Sequence, residues 1–256
     1  MPTLVNHFAS AAAAARYAHG RPDVHRGIAR RIGRGLRLSR KVDRALDMGC
    51  GTGLSARALG EMAELVIGAD LSAAMIAQAA RAAGPLYVVA AAEALPFAAG
   101  PFDLITCGLA FHWFDRAEFL AEARRVLKPG GFLVVYDHWF AGRMRESAVF
   151  EQWHRSEYLS RYPAPPRKGR ADLESLDPSS GFRLEGRDDA SEDLAFSARQ
   201  LSDYLLTQSN VSAAVEQQGE LLEDVAAWLA RSARSLTPEP TGHFEFESSI
   251  WFLARA

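Results

Sequence analysis

The chain has 256 residues, a formal net charge of −2, 48% hydrophobic residues and 23% charged ones. That length buries one full core, about the size of a large α/β domain, and the near-neutral balance gives no bias towards nucleic acid or an anionic membrane surface. Two cysteines, Cys50 and Cys107, are too few for a disulfide framework and point to a reducing compartment, so the expectation is a cytoplasmic protein with no metal site of the usual Cys/His spacing, no signal peptide and no membrane span.

In chain order, residues 1 to 20 carry high helix propensity around Ala11 to Ala15, and Pro22 with Asp23 interrupts before a second helix with Val24, Ile28, Ile32 and Leu36 at four-residue steps. Ten Lys or Arg between Arg16 and Arg44, against Asp23 and Asp43 alone, read as a solvated basic helix face. Ala45 to Met48 is the first strand, and Leu54 to Leu59 starts a helix that ends near Gly60. Leu65 to Ala69 makes a second strand stopping at Asp70, where Ser72 caps the helix Ala73 to Ala82. Leu86 to Ala90 and Phe102 to Leu109 are the third and fourth strands, separated by a loop with Glu93, Leu95, Pro96 and Phe97. A helix opens at Asp115 and runs to Leu127, a turn at Lys128 to Gly131 ends it, and Phe132 to Tyr136 is the fifth strand. Strands alternating with helices at this spacing predict βαβ crossovers and a parallel sheet covered on both faces.

Beyond residue 140 the periodicity weakens. Met144 to Leu159, Leu201 to Leu206 and Val211 to Leu229 read as helices, Arg161 to Arg170 as a proline-rich loop or flap, and Phe182 to Leu184 and Phe244 to Leu253 as two closing strands. Tyr136, Trp139, Trp153, Tyr158 and Tyr204 are open to two readings, an aromatic acceptor pocket or core.

The most informative stretch is Ala45 to Gly53, ALDMGCGTG. A buried strand end runs into three glycines that let the backbone turn tightly and approach a ligand closely. A dinucleotide fingerprint is G-x-G-x-x-G, and Leu54 stands where its third glycine should be. Asp70, at the end of the next strand, is where a carboxylate accepts hydrogen bonds from ribose hydroxyls. The pattern calls for a ribose-bearing ligand without a Walker-type lysine.

ALDMGCGTG at 45 to 53, IGADLSAAMI at 67 to 76, AAEALPF at 91 to 97, FDLITCGLAFHWF at 102 to 114 and RRVLKPGGFLVV at 124 to 135 together resemble the class I S-adenosylmethionine-dependent methyltransferases, in the methyltransferase type 11 domain group. The resemblance implies a Rossmann-like α/β fold: a seven-stranded, mostly parallel sheet with helices on both faces, an N-terminal helical lid and a C-terminal helical cap. One domain over 1 to 256 is expected, with the lid at 1 to 40, the cofactor-binding core at 41 to 140 and substrate-side helices with closing strands at 141 to 256. It implies S-adenosyl-L-methionine as cofactor, held by Asp47, Gly49, Cys50, Gly51 and Gly53 at its amino-acid end and by Asp70 at the ribose. Leu71, Met75, Ala92 and Glu93 would stand about the adenine, and Leu109 near the transferable methyl group. Many relatives carry Asp where this chain has Ala91, which leaves the adenine amino group to backbone, water or Glu93. Phe8, Tyr17, Arg21 and Pro22 look like the lead-in of small-molecule methyltransferases such as the trans-aconitate type, making Tyr17 and Arg21 lid residues, with Arg21 suited to a carboxylate.

The implied activity is methyl transfer to a small-molecule acceptor at oxygen, with a non-catalytic cofactor-binding or regulatory protein of the same fold as the alternative. An NAD-dependent oxidoreductase is disfavoured by Leu54. A carboxylate acceptor is already ionised and needs no base, whereas a hydroxyl gains from an imidazole, for which His112 is the catalytic candidate. Trp113 follows the same strand, and Asp137, His138 and Trp139 end the fifth, forming a second candidate substrate cluster. No nucleic-acid or membrane partner is expected, and the chain is expected to be a monomer or homodimer.

Overall fold

A computed structural model describes residues 10–164 and 173–256. Phe8 and positions 165–170 of the proline-rich stretch lie outside the described residues.

Two helices come first. In α1 (Ala11–Gly20) the Ser10 hydroxyl accepts the Ala13 N–H at 3.0 Å, and Arg21, extended before Pro22, ends the helix. In α2 (His25–Gly35) Ile28, Ala29 and Ile32 are buried while Arg26, Arg30 and Arg34 face solvent, so the basic run there is a wet face over an apolar stripe. The alternating section follows: β1 (Val42–Met48), α3 (Leu54–Leu59), β2 (Ala63–Asp70), α4 (Ala73–Ala79), β3 (Leu86–Val89), β4 (Phe102–Gly108), a 3₁₀ turn (Phe111–Trp113), α5 (Arg116–Val126) and β5 (Leu127–Met144). Each helix start expected from a capping side chain is present: Ser72 accepts from Met75 N–H at 3.3 Å and Asp115 from Glu118 N–H at 3.2 Å.

The seven strands form one sheet in the order β3-β2-β1-β4-β5-β7-β6, with β6 at Phe182–Phe196 and β7 at Gly242–Arg255. The pairs β1–β2, β1–β4, β2–β3 and β4–β5 are parallel. The chain winds outward from β1 through β2 to β3, then returns to place β4 on the other side of β1. That reversal is a topological switch point, where open α/β sheets bind ligands beyond the strands' carboxyl ends.

Four local expectations are corrected. Lys128 to Gly131 does not end the helix as a free turn: α5 stops at Val126, and the four residues lie within β5 as a break in register. Phe102 pairs with Leu127 but Leu104 with Phe132, Gly130 takes φ +76°, and Lys128 Nζ reaches Asp103 Oδ1 at 2.6 Å. The segment from Met144 is not one long helix; β5 continues to Met144, then α6 (Ala148–Trp153) runs through a π-helical stretch (His154–Tyr158) into α7 (Leu159–Arg161). Strand β6 extends far past Leu184, because a strand at the end of the sheet order needs no apolar alternation; Arg183 pairs with Glu185 at 2.5 Å and Arg187 with Asp189 at 2.8 Å, side chains two apart on one face. The helical stretch expected over 211 to 229 divides into α9 (Ser209–Gln217) and α10 (Leu222–Leu236) around Gly219 at φ +76°, after α8 (Ala198–Leu205).

The described residues gather into two compact units, 10–22 with 138–164 and 190–248, and 23–137 with 173–189 and 249–256. In the second unit Leu46, Phe102, Ile105, Phe119, Val126 and Leu133 form a core at no more than 1% exposure. Truncating such a ring, Phe102→Ala for example, costs about 3–5 kcal/mol. In the first unit Trp153, Tyr158 and Tyr204 are buried together with Phe150, Phe244 and Phe246, so these three aromatics are core.

Among the described residues no helix is long and apolar enough to cross a membrane.

Candidate active site

The cofactor candidates lie in the unit that contains the switch point. Strand β1 ends at Met48 and the backbone turns through Gly49 (φ +72°), Gly51 (φ +52°) and Gly53 (φ +79°), conformations L side chains rarely adopt. The Gly49 and Cys50 N–H groups donate to Ala69 O at 2.8 and 3.1 Å, tying the loop to the end of β2. A Cβ on Gly49 would stand 2.4 Å from the Ala110 Cβ and 3.4 Å from the tip of the Phe114 ring. The loop therefore abuts the segment after β4. A Cβ on Gly51 would meet nothing within 4 Å, so the loop presents a bare, open backbone face at that residue.

Asp70 holds this loop from β2. Its Oδ2 accepts the Gly51 N–H at 2.9 Å and its Oδ1 the Ser72 N–H at 2.8 Å. Each oxygen keeps a further acceptor site, which is what two ribose hydroxyls require. Burial raises the Asp70 pKa, and the two backbone donors oppose that rise.

Asp47 lies beneath the loop. The parallel register sets it beside Thr106 of β4, whose hydroxyl donates to Oδ1 at 2.8 Å, and Ser55 of α3 donates to Oδ2 at 2.5 Å. The carboxylate thus joins β1, β4 and the helix after the loop. Burial drives its pKa from the ordinary 3.8 up to about 6, against the pull of both hydroxyls. Cys50 packs against Gly68, where an added Cβ would lie 2.9 Å from its Sγ, and burial pushes the Cys50 and Cys107 thiols up, so neither is a ready nucleophile.

The remaining candidates of this unit lie on or after the neighbouring strands. Leu71 is 64% exposed directly after Asp70, and Met75 is buried on α4. Ala92 is buried in the tight turn closed by the Ala91–Ala94 bridge after β3. Glu93 accepts the Asp115 N–H at 2.8 Å and so ties that turn to the start of α5. Leu109 leaves β4 at φ +58°, its N–H donating to Tyr136 O at 2.9 Å. A leucine in that conformation costs about 1–3 kcal/mol and marks the spot as one the surrounding structure imposes. His112 and Trp113 follow on the 3₁₀ turn with ring centroids 4.7 Å apart. Asp137 is half-buried on β5.

A model of the methyltransferase domain family matches residues 46–135. A protein of Dictyostelium discoideum named as a methyltransferase is 30% identical over 182 residues, covering 69% of this chain and 68% of its own length. The chain belongs to the class I S-adenosylmethionine-dependent methyltransferases. A malonyl-[acyl-carrier protein] O-methyltransferase of Erwinia pyrifoliae is 36% identical over 172 residues, and this chain spans 65% of that relative's length. A solved structure from Anaeromyxobacter dehalogenans, described as a type II methyltransferase, superposes with a TM-score of 0.65 at 26% identity, over 90% of this chain and 94% of its own.

Within this methyltransferase, Tyr17, Arg21, His138 and Trp139 belong to the other unit. Arg21 lies with its guanidinium carbon 4.7 Å from the Tyr17 ring centroid and donates to Thr207 O at 3.2 Å. His138 is buried, stacked on Phe246 at 5.0 Å with Nε2 3.2 Å from Glu192 Oε1, and Trp139, next on the alternating strand, is half-buried. Sequence reasoning missed Ser55 and Thr106, the partners of Asp47. Their signal was a hydroxyl in the apolar run of β4 and another in the first turn of α3, each unremarkable until the fold aligned them.

Proposed function

We propose that this methyltransferase uses S-adenosylmethionine to methylate an oxygen, carboxylate or hydroxyl, of a small-molecule acceptor in the cytoplasm. The observation that carries the donor assignment is the Asp70 carboxylate fixed between Gly51 N–H at 2.9 Å and Ser72 N–H at 2.8 Å, beside the open face of Gly51. The donor set suits the cofactor's polar ends. Asp70 takes the ribose hydroxyls, the backbone at Gly49, Gly51 and Gly53 takes the amino-acid end with Asp47 and Cys50 supporting it from below, and Leu71, Met75, Ala92 and Glu93 bound the adenine. S-adenosylmethionine, when bound, supplies a methyl group already activated by a sulfonium. What the chain adds is placement and exclusion of water.

Leu109 and Trp113 follow β4, and Asp137 lies on β5 one residue past the Gly108–Tyr136 pair, where an acceptor would be received; Asp137, His138 and Trp139 do not end the fifth strand, which runs on to Met144. His112 is the imidazole that takes the proton of a hydroxyl acceptor; a carboxylate acceptor needs no such group. The choice of oxygen is supported by the Erwinia relative's name, which specifies O-methylation. Incubation with methyl-labelled donor and a panel of organic acids and hydroxy compounds tests the reading. Label appearing in base-labile methyl esters or base-stable ethers supports it; cofactor binding with no label transferred, or label only on nitrogen or carbon, overturns it. With a hydroxyl acceptor, His112→Ala is expected to lower the rate about 10²–10⁴-fold and to remove the acid limb of the pH–rate profile.

A further inference from the structure

Two side chains outside the donor-binding set fasten the far end of the glycine loop. Tyr87 of β3 stands in register with Gly68 of β2. A Cβ on Gly68 would lie 2.8 Å from the Tyr87 Cδ1 and 2.9 Å from its Cε1, so the missing side chain is what lets the ring lean across β2. Its hydroxyl thereby reaches the loop, where a Cβ on Gly53 would stand 2.4 Å from Tyr87 Oη. That same Cβ would stand 3.0 Å from Arg57 Nη1. Burial raises the Tyr87 pKa, and the Arg57 guanidinium beside the phenol opposes that rise.

Arg57, on α3, turns back onto the loop, and its Nη1 donates to Thr52 O at 3.2 Å. The N–H of the same peptide unit, on Gly53, donates to Cys50 O at 2.9 Å. The Thr52–Gly53 peptide is therefore held at both its oxygen and its hydrogen, just beyond Gly51, whose N–H is held by Asp70 and whose outer face is open. A loop fixed in advance binds more tightly than one a ligand must order, because the ordering entropy is already spent.

We propose that Arg57 and Tyr87 are positioning residues for the methyl donor: by fixing the Thr52–Gly53 peptide they hold the loop in the shape that receives the donor's amino-acid end. The inference rests on the donor reading above and adds to it two residues that act through the backbone. Two ligands test it by calorimetric titration: S-adenosylhomocysteine, which has the amino-acid tail, and 5′-methylthioadenosine, which keeps the adenine and ribose and lacks that tail. Arg57→Met and Tyr87→Leu, with folding checked by thermal melting, are each expected to weaken S-adenosylhomocysteine by at least about tenfold and 5′-methylthioadenosine by less than about twofold. Arg57→Lys keeps a cationic donor for Thr52 O and should recover most of the loss. Tyr87→Phe keeps the ring over Gly68, should fold like the wild type, and should bind S-adenosylhomocysteine with an affinity between those of the wild type and Tyr87→Leu. As a control for general destabilisation, Ile32→Val in the core of the same unit should lower the melting temperature and leave both affinities unchanged. Equal loss of both ligands, no recovery in Arg57→Lys, or a folded Arg57→Met that binds S-adenosylhomocysteine like the wild type would overturn this proposal and leave the donor site standing. Failure of the wild type itself to bind S-adenosylhomocysteine would overturn the donor reading, and this inference with it.

Discussion

At the scale of single residues, Asp47 carries a burial penalty that a stability measurement can read. Folded, it releases its proton near pH 6 rather than 3.8, because burial outweighs the hydroxyls of Ser55 and Thr106. Between about pH 4 and 6 the native state therefore holds a proton that the unfolded chain has released. Stability contributed by this group falls as pH rises through that window, by at most about 3 kcal/mol for a shift of about two units, and the penalty is relieved below pH 4. Asp47→Asn removes the titration. Denaturant unfolding of both proteins from pH 4 to 7 should show the wild type losing stability relative to the variant across the window; parallel curves would show that the carboxylate carries no such penalty. Asp70 differs in kind, since its oxygens hold backbone N–H groups on both sides and leave acceptor sites for a ligand.

At the scale of elements, the glycine loop separates what the fold needs from what a ligand needs. Gly49→Ala places a Cβ 2.4 Å from the Ala110 Cβ in addition to a left-handed backbone, so it should lower the melting temperature by more than the few degrees that about 1–2 kcal/mol of conformational strain produces. Gly51→Ala carries the strain alone, because its Cβ meets nothing within 4 Å. It should fold with a modest loss of stability and yet bind S-adenosylhomocysteine at least about tenfold more weakly, the new methyl occupying the face the cofactor uses. Unchanged binding by Gly51→Ala would place the cofactor elsewhere.

The same loop shows what the sequence made legible. Glycines at 49, 51 and 53, a carboxylate ending β2 and an apolar run of strand length are local patterns, and local patterns survive without tertiary information. β6 did not share that property. As an edge strand of alternating charges it carries no apolar period, and only the sheet order explains why it is extended. Likewise Lys128-Pro129-Gly130-Gly131 reads as a turn on its own, but pairing with β4 on either side absorbs it as a break in register. The hydroxyl partners of Asp47 and the left-handed Leu109 depend on alignment between strands distant in sequence, which no single stretch encodes.

At the scale of the whole molecule, the reversal in strand order brings the ends of β1 and β4 side by side, the place where open α/β sheets receive ligands. The first unit adds an aromatic core with a guanidinium at one edge of it. The central claim is that the carboxyl ends of β1 and β2 hold the methyl donor through Asp70. Calorimetric titration of S-adenosylhomocysteine into wild type and Asp70→Ala, with folding of both checked by thermal melting, tests it most directly. Saturable binding by the wild type and a loss of at least about a hundredfold in a folded Asp70→Ala is the expected result, two charge-assisted hydrogen bonds being removed. No binding by the wild type, or equal binding by the two proteins, would contradict it.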